Sequence, residues 1–324
     1  MDLDLLFLGT SASVPTARRA PAATLIRRGG ERILLDCAEG TQRQLLRSPA
    51  GLADLDLILL THHHADHVLG LPGMLKTFAL RGREHPLPVA GPAGLRGLIK
   101  DFGRVIGRLT FELELIELDA GASLPGDGYR IEAFATQHRG LSIGFALCEE
   151  HRPGRFDVEA ARALGVPEGP LFGMLQHGQA VDLPSGERLE PERVVGPARP
   201  GRRIVFSGDT RPCPGTLEAS AAAHLLVHEA TFLEDEAERA RQTGHSTAAE
   251  AAALARDAQV RLLALTHLST RHTAHEVRDE AREVFPNTVV PRDFDVIELP
   301  FTERGEPRLV RGDEAAPPPA PDPA

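Results

Sequence analysis

Histidine and aspartate are concentrated in one short segment of the chain, His62-His63-His64-Ala65-Asp66-His67. The apolar run of residues 55–60 comes directly before it and is typical of a buried strand. Imidazole nitrogens and carboxylate oxygens are ligands that suit Zn²⁺ or a similar divalent ion. The segment therefore predicts a metal site at a strand end. The alternative is a histidine-rich surface turn that binds nothing.

The pattern H-x-H-x-D-H offers four donors in six residues, which is more than one ion needs. The economical interpretation is that His62 and His64 face one metal while Asp66 and His67 face a second. Two adjacent metals are the arrangement of many enzymes that hydrolyse phosphate esters. The spacing therefore favours a two-metal hydrolase.

Such a centre needs further donors, and three residues stand just beyond other apolar runs. His138 follows the run that ends at Phe134, Asp209 follows residues 204–208, and His267 follows residues 262–266. One carboxylate can give an oxygen to each of two ions and hold them about 3.5–4 Å apart. Asp209 is the candidate for this bridge.

His245 stands in the loop Thr243-Gly244-His245-Ser246-Thr247, at the predicted start of a helix. A loop imidazole near a metal pair is suited to donating a proton to a leaving oxygen. Glu229, at the end of a predicted strand, is the candidate that orients it.

The backbone amides of residues 9–13 are candidates for holding a phosphate. Most of the 14 histidines, among them His224, His228 and His272, are not expected to be ligands.

Length and composition predict one elaborated domain, because the chain has 324 residues and 42% apolar content. No run of about 18 apolar residues occurs, and the start lacks a basic leader, so we expect a cytoplasmic protein. Three widely spaced cysteines predict buried thiols rather than disulfides. The formal charge of −10 argues only weakly against a nucleic-acid partner, because bound metals and local patches matter more than the total.

Apolar runs alternate with helical patterns, which predicts an α/β protein with mixed sheets. Short connections within residues 111–148 favour antiparallel pairing there. Strands are expected at residues 3–8, 33–35, 55–60, 111–118, 129–134, 141–148, 204–206, 225–227 and 262–265. Helices are expected at residues 40–47, 94–106, 158–164, 246–256 and 274–284.

The alternation stops at about residues 149–202, where proline, glycine and charged residues predominate. This segment predicts a protruding insert, and an ordinary long surface loop is the alternative. We expect a single catalytic domain over residues 1–302 that contains this insert. Residues 303–324 form the predicted C-terminal tail, and its proline-rich end, residues 312–324, is expected to be disordered.

Several motifs along nearly the whole chain are similar to those of the ribonuclease Z family, the tRNA 3′-processing endonucleases of the metallo-β-lactamase superfamily. They are Phe7-Leu8-Gly9-Thr10, Asp36-Cys37-Ala38-Glu39-Gly40-Thr41, the histidine segment with Gly70-Leu71-Pro72-Gly73, Ser207-Gly208-Asp209-Thr210-Arg211, His228-Glu229-Ala230-Thr231, His245-Ser246-Thr247 and Leu265-Thr266-His267. The string Gly169-Pro170-Leu171 of the insert resembles the arm by which that family grips tRNA. The sequence departs from the family's usual residues at four positions, none of which is an expected ligand: Ala20, Pro21, Ala38 and His272.

The resemblance implies a four-layer αβ/βα sandwich of two mixed sheets with a protruding substrate-binding arm. It also implies two zinc ions per subunit and a homodimer in which each arm serves the partner's active site. The implied ligands are His62, His64 and His138 for one ion, Asp66, His67 and His267 for the other, and Asp209 for both.

The expected reaction is hydrolysis of the phosphodiester at the 3′ end of precursor tRNA, leaving a 3′-hydroxyl on the tRNA. Asp66 would accept the proton of the attacking water, and His245, supported by Glu229, would protonate the leaving oxygen. The alternatives are a small-molecule phosphodiesterase or thioesterase of the same fold, and a non-catalytic RNA-binding protein on the same scaffold.

Overall fold

The computed structural model describes residues 1–52 and 54–312. Its strands are β1 Leu3–Gly9, β2 Ala23–Arg28, β3 Glu31–Leu35, β4 Leu57–Leu59, β5 Leu87–Gly91, β6 Leu113–Glu117, β7 Ser123–Gly126, β8 Tyr129–Ala135, β9 Ile143–Glu149, β10 Val181–Asp182, β11 Arg188–Leu189, β12 Arg203–Phe206, β13 Leu225–Glu229, β14 Leu262–Thr266, β15 Thr288–Val289, β16 Val296–Glu298 and β17 Arg308–Val310.

The α-helices connect these strands. They are α1 Thr41–Arg47, α2 Ala65–Val68, α3 Leu71–Leu80, α4 Leu95–Ile106, α5 Val158–Ala163, α6 Pro170–Gln176, α7 Pro214–Ala219, α8 Ala237–Thr243, α9 Ala248–Asp257 and α10 Ala274–Val284. Both α9 and α10 begin with a capping box, in which a threonine and a glutamate satisfy each other's backbone amides.

Two mixed sheets form the main unit of the fold, as the sequence predicts. The first has the order β17-β16-β1-β2-β3-β4-β5-β6, and the second has the order β15-β14-β13-β12-β9-β8-β7. In the first sheet β3, β4, β5 and β6 are parallel, whereas β1 pairs antiparallel with β2 and β16. In the second, β12, β13, β14 and β15 are parallel. Parallel strands of this kind are apolar on both faces, and the strands β4 and β14 are almost wholly buried.

By its contacts the chain divides into two compact units. The first contains Met1–Pro125, Ile131–Leu147 and the described residues after 202, and the second contains Gly126–Arg130 and Cys148–Arg202. The second unit includes α5, α6 and the pair β10–β11, which enclose a small apolar core of their own around Ala161, Leu175 and Leu189. It holds the segment that the sequence predicts as a substrate-binding insert, and that role stays a prediction.

The ends of the second unit's chain segments approach each other closely. Gly154 lies so near Gly196 that a Cβ at Gly154 would stand 1.8 Å from the carbonyl oxygen of Gly196. Glu149 accepts bonds of 2.7 Å from both Nε and Nη2 of Arg202, and both side chains are buried. These contacts hold residues 149–154 beside residues 196–202.

Each of the nine predicted strands and five predicted helices has a counterpart in the structure, within a few residues at their ends. The prediction of antiparallel pairing across residues 111–148 is wrong for β6, which pairs in parallel with β5 in the first sheet. In the predicted tail, residues 308–310 form β17 and pair with β16. The expected disorder at its end falls on residues 312–324, of which all but Gly312 lie outside the described residues.

The three cysteines are free and buried, as predicted: Cys37, Cys148 and Cys213. Within residues 1–52 and 54–312, no helix is long and apolar enough to cross a membrane. The expected cytoplasmic location stays a prediction.

Two glycines beside the histidine segment predict opposite effects of substitution by alanine. A Cβ at Gly70 would stand 2.0 Å from the carbonyl oxygen of Ala38, so Gly70→Ala should lower the free energy of unfolding by about 1–3 kcal/mol. Gly73 is exposed within α3 and meets nothing closer than 3.7 Å. Gly73→Ala should raise stability by up to about 1 kcal/mol, through helix propensity. Urea unfolding measures both, and equal effects would contradict the close approach at Gly70.

Candidate metal centre

The carboxyl ends of parallel strands meet at one edge of the second sheet, where they place three acidic or imidazole side chains. Glu229 is the last residue of β13, His267 follows β14 directly, and Asp209 follows β12 after two residues. The strands β12, β13 and β14 are paired in register. Ligand sites commonly form at the carboxyl ends of such strands. The sheet therefore brings together residues that are up to 58 positions apart in the sequence.

The first sheet supplies the histidine segment at the end of β4. The chain leaves this short strand, passes through His62 and His64, and enters the single turn of α2, which carries Asp66 and His67. The turn explains why residues so close in sequence can face in different directions. His138 comes from the loop after β8.

One group of donor atoms consists of His62, His64 and His138. The Nε2 atom of His62 lies 3.0 Å from Nδ1 of His64, and Nε2 of His138 lies 3.1 Å from the same atom. The three imidazoles therefore converge on one point.

A second group lies beside the first and contains Asp66, His67, His267 and Asp209. Asp209 Oδ2 is 3.4 Å from His67 Nε2 and 3.3 Å from His267 Nε2. Asp66 Oδ2 is also 3.3 Å from His267 Nε2. The same Asp209 oxygen is 3.8 Å from His62 Nε2 of the first group, so it stands between the two.

The separations of 3.3–3.4 Å in the second group match what a tetrahedral ion requires, and those of 3.0–3.1 Å in the first group are slightly shorter. With Zn–N bonds of about 2.0–2.1 Å, the ligand atoms of a tetrahedron are about 3.3–3.4 Å apart. The Nε2 atom of His67 is buried and has no hydrogen-bond partner within residues 1–52 and 54–312. A buried nitrogen without a partner is costly, and a bound cation would satisfy it. The donor set therefore fits a metal-binding site.

In the buried imidazoles of the site, the ring nitrogen that faces away from the proposed ions contacts a carboxylate, a hydroxyl or a carbonyl oxygen. His67 Nδ1 contacts Asp36 Oδ2 at 2.8 Å, and His62 Nδ1 contacts Thr61 Oγ1 at 3.0 Å. His138 Nδ1 donates to the carbonyl of Gly244 at 2.8 Å. Such partners fix the ring orientation and leave the other nitrogen free to bind a metal.

His267 is held in the same way by Thr231, whose Oγ1 lies 2.9 Å from His267 Nδ1. Sequence reasoning assigned no role to Asp36, Thr61 or Thr231. Asp36 does carry a signal, because it directly follows β3 as the proposed ligands follow their strands. The two threonines are too common a residue type to be singled out from one sequence.

At His62 and Asp209, electrostatics favour the protonation states that metal ligands need. Burial lowers the pKa of His62 well below its usual value, so its imidazole is neutral. Burial opposes ionisation of Asp209, but the imidazoles of His267 and His67 outweigh it and hold its pKa well below the usual range. The site therefore presents a neutral imidazole at His62 and a carboxylate at Asp209. At His67, burial opposes protonation, but the Asp209 and Asp36 carboxylates outweigh it and raise the pKa well above its usual value, so metal binding there would release a proton.

His245 and Glu229 form a separate pair beside this centre. His245 Nδ1 lies 2.8 Å from Glu229 Oε1, and Glu229 is buried. Burial opposes protonation of His245, but the Glu229 carboxylate outweighs it and raises the pKa of His245 to about 9. Although His245 Nδ1 is also near Asp209, at 4.0 Å, its bond to Glu229 makes it a poor ligand candidate. The pair has the form of an imidazolium held by a carboxylate.

The remaining histidines considered in the sequence do not join the site. His224 bonds to the amide of Arg203 and to Thr302, and His272 Nε2 is 2.8 Å from Glu236. His228 is buried and contacts the carbonyl of Glu229. The expectation that the amides of residues 9–13 hold a phosphate does not fit, because the amides of residues 11–13 already donate to protein acceptors.

Comparison with known proteins assigns the chain to a family. Residues 17–121 match the metallo-beta-lactamase superfamily, and residues 177–268 match a beta-lactamase superfamily domain. Ribonuclease Z of Gemmatimonas aurantiaca is 48% identical over 308 residues, covering 94% of this chain and 98% of that protein. The chain belongs to the ribonuclease Z family.

Other members of the family and a solved structure agree. Ribonuclease Z of Methanosarcina acetivorans is 46% identical over 92% of this chain and 99% of that protein. The crystal structure of human tRNase Z, short form, has 28% identity and a TM-score of 0.67, covering 92% of this chain and 99% of that one. The predicted resemblance and the predicted metallo-β-lactamase fold are confirmed.

Asp209→Asn tests the bridge, since an amide lacks the charge that a carboxylate shares between two cations. We expect the variant to bind fewer divalent ions per chain while it keeps the wild-type circular dichroism spectrum. Asp279→Asn, at an exposed acid on α10, is the matched control and should keep the full metal content. Elemental analysis after gel filtration gives the ratio. An Asp209→Asn protein with unchanged metal content would rule out the bridge.

Proposed function

We propose that this protein hydrolyses the phosphodiester at the 3′ end of precursor tRNA and leaves a 3′-hydroxyl on the tRNA. As a member of the ribonuclease Z family, it is a metal-dependent endoribonuclease. The observation that carries the proposal is the convergence of seven donor atoms in two groups around Asp209.

We propose two Zn²⁺ ions as the cofactors. His62, His64 and His138 would hold one ion, Asp66, His67 and His267 the other, and Asp209 both. Bound zinc would lower the pKa of a coordinated water towards about 7 and neutralise charge on the phosphate. Imidazole and carboxylate donors at this spacing support zinc rather than magnesium, which prefers oxygen ligands in octahedral geometry.

Asp66 is the proposed acceptor of the proton that the attacking water loses. Its carboxylate is held in place at Oδ2 by the backbone amide of Ser13, at 2.8 Å. The charges and hydrogen bonds around it lower its pKa in spite of partial burial, so it is ionised at neutral pH. An ionised carboxylate beside the water can take up its proton.

His245 is the proposed donor of a proton to the leaving ribose oxygen. Glu229 holds Nδ1, which leaves Nε2 as the nitrogen that can act on a substrate. Glu229 itself is fixed by Thr231 Oγ1 at 2.6 Å and by the amide of Thr210 at 2.7 Å. The carboxylate therefore orients the imidazole and keeps it protonated at neutral pH.

The second unit is the proposed binding arm for tRNA. Its separate apolar core and clamped chain ends support a module that can be removed without opening the catalytic core. The resemblance to ribonuclease Z supports a cytoplasmic homodimer in which the arm of one subunit serves the other. Sedimentation velocity would show whether the protein is a dimer in solution.

His245→Ala tests proton transfer with two substrates. The rate constant kcat for precursor tRNA should fall by about 10²–10⁴, because general acid catalysis contributes that much. A nitrophenyl phosphodiester, whose leaving group needs no proton, should lose far less. His275→Ala, at an exposed imidazole of α10, is the control and should change neither rate. Equal losses on both substrates, or loss of a metal ion, would show that His245 orients the site instead.

Removing residues 154–196 and joining the ends tests the arm. The closeness of Gly154 and Gly196 allows this junction with little strain. Binding energy remote from the reacting bond is what the arm would supply, so the Kd for precursor tRNA should rise while hydrolysis of the nitrophenyl diester is kept. If the two activities fall together, the arm belongs to the catalytic core. If neither changes, a small-molecule phosphodiesterase becomes the better assignment.

A further inference from the structure

Asp293 stands between β15 and β16, far in sequence from every proposed ligand. Its Oδ1 accepts a hydrogen bond of 2.8 Å from Thr10 Oγ1. Its Oδ2 accepts bonds of 2.7 Å from the amide of Ala20 and 2.9 Å from Gln44 Nε2. One carboxylate thus joins both ends of residues 10–20, here named the site loop, to helix α1.

Arg19 closes the same junction from the other side. Its Nη1 donates to Thr10 Oγ1 and to the carbonyl of Pro291, the latter at 2.9 Å. The amide of Ser11 donates to the carbonyl of Ala20 at 2.9 Å, which draws the two ends of the loop together. The ends of the loop are therefore fixed by hydrogen bonds to the Asp293 carboxylate, by hydrogen bonds from the Arg19 guanidinium, and by a backbone hydrogen bond.

The interior of the site loop contacts the second group of proposed ligands. The amide of Ala12 donates to the carbonyl of Leu268, and the amide of Leu268 donates to the carbonyl of Thr10, each at 3.0 Å. Leu268 directly follows His267. The amide of Ser13 donates to Asp66 Oδ2 at 2.8 Å. The loop thus supports both His267 and Asp66.

Ser13 adopts a φ of 58°, which few residues other than glycine adopt. A residue in that region persists where its surroundings hold it, and here the fixed loop ends do so. We propose that Asp293 is a positioning residue that fixes the site loop, so that the Ser13 amide stays on Asp66 and Leu268 stays beside the loop. The inference rests on the proposed function in one respect, since it takes Asp66 and His267 as metal ligands.

The first test measures metal affinity in Asp293→Asn by competition with a chromophoric zinc chelator. Loss of a group that supports ligands typically costs about 10–100-fold in metal affinity. One of the two bound equivalents should therefore be held about 10–100-fold more weakly, while the other is unchanged. Asp295→Asn is the matched control: this buried acid bonds to the amides of Arg292 and Gly312, not to the site loop. Its two equivalents should bind as in the wild type.

The second test measures the loop directly and needs no metal. Arg18 is an exposed trypsin site in the loop, so Asp293→Asn should speed cleavage there in chelator-treated protein, and Asp295→Asn should not. Thr10→Val removes one of the three bonds to Asp293 together with the bond from Arg19, and it should change both measurements in the same direction as Asp293→Asn. This second variant decides the matter if Asp293→Asn does not fold.

The outcomes of these tests distinguish the positioning role of Asp293 from the proposed function. Unchanged metal affinity and unchanged cleavage in Asp293→Asn and Thr10→Val would overturn the role of Asp293. Equal losses in the Asp295→Asn control would also overturn it, because they would trace the effect to general destabilisation. A wild-type protein that binds no zinc would overturn the proposed function instead, while faster cleavage in Asp293→Asn would still support the loop contact.

Discussion

The site depends on the buried carboxylate of Asp209, which has imidazole nitrogens on two sides. Donors from the first sheet and donors from the second meet around this one oxygen, at 3.3–3.8 Å for His267, His67 and His62. Removing so many polar atoms from water is unfavourable unless they find partners. Bound cations would satisfy lone pairs from both sheets together, and the metal centre would then be a structural link as well as a chemical one.

The surroundings of the centre set the direction of each ring before any ion binds. Asp36, Thr61 and Thr231 each hold the nitrogen that faces away from the site. Glu229 connects this layer to the neighbouring His245, because Thr231 Oγ1 also bonds to Glu229. A change at Thr231 is therefore expected to reach both metal binding and proton transfer.

The sequence predicts the strands well and brings out the proposed ligands as candidates, because both depend on local patterns. Apolar runs mark β1, β4 and β14, and chemically distinctive residues follow such runs directly. The order of the strands in the sheets is harder to predict from the sequence, because β6 joins the first sheet through a pairing that no local pattern specifies. The role of Asp293 was hidden for the same reason: its partners Thr10 and Ala20 lie more than 270 residues away.

The most direct test of the central claim is the position of the ions themselves. Crystals of the zinc-loaded protein, measured at the zinc absorption edge, should give two anomalous peaks about 3.5–4 Å apart. One peak should lie among His62, His64 and His138, the other among Asp66, His67 and His267, with Asp209 between them. A single peak, or a pair of peaks away from Asp209, would contradict the two-metal account.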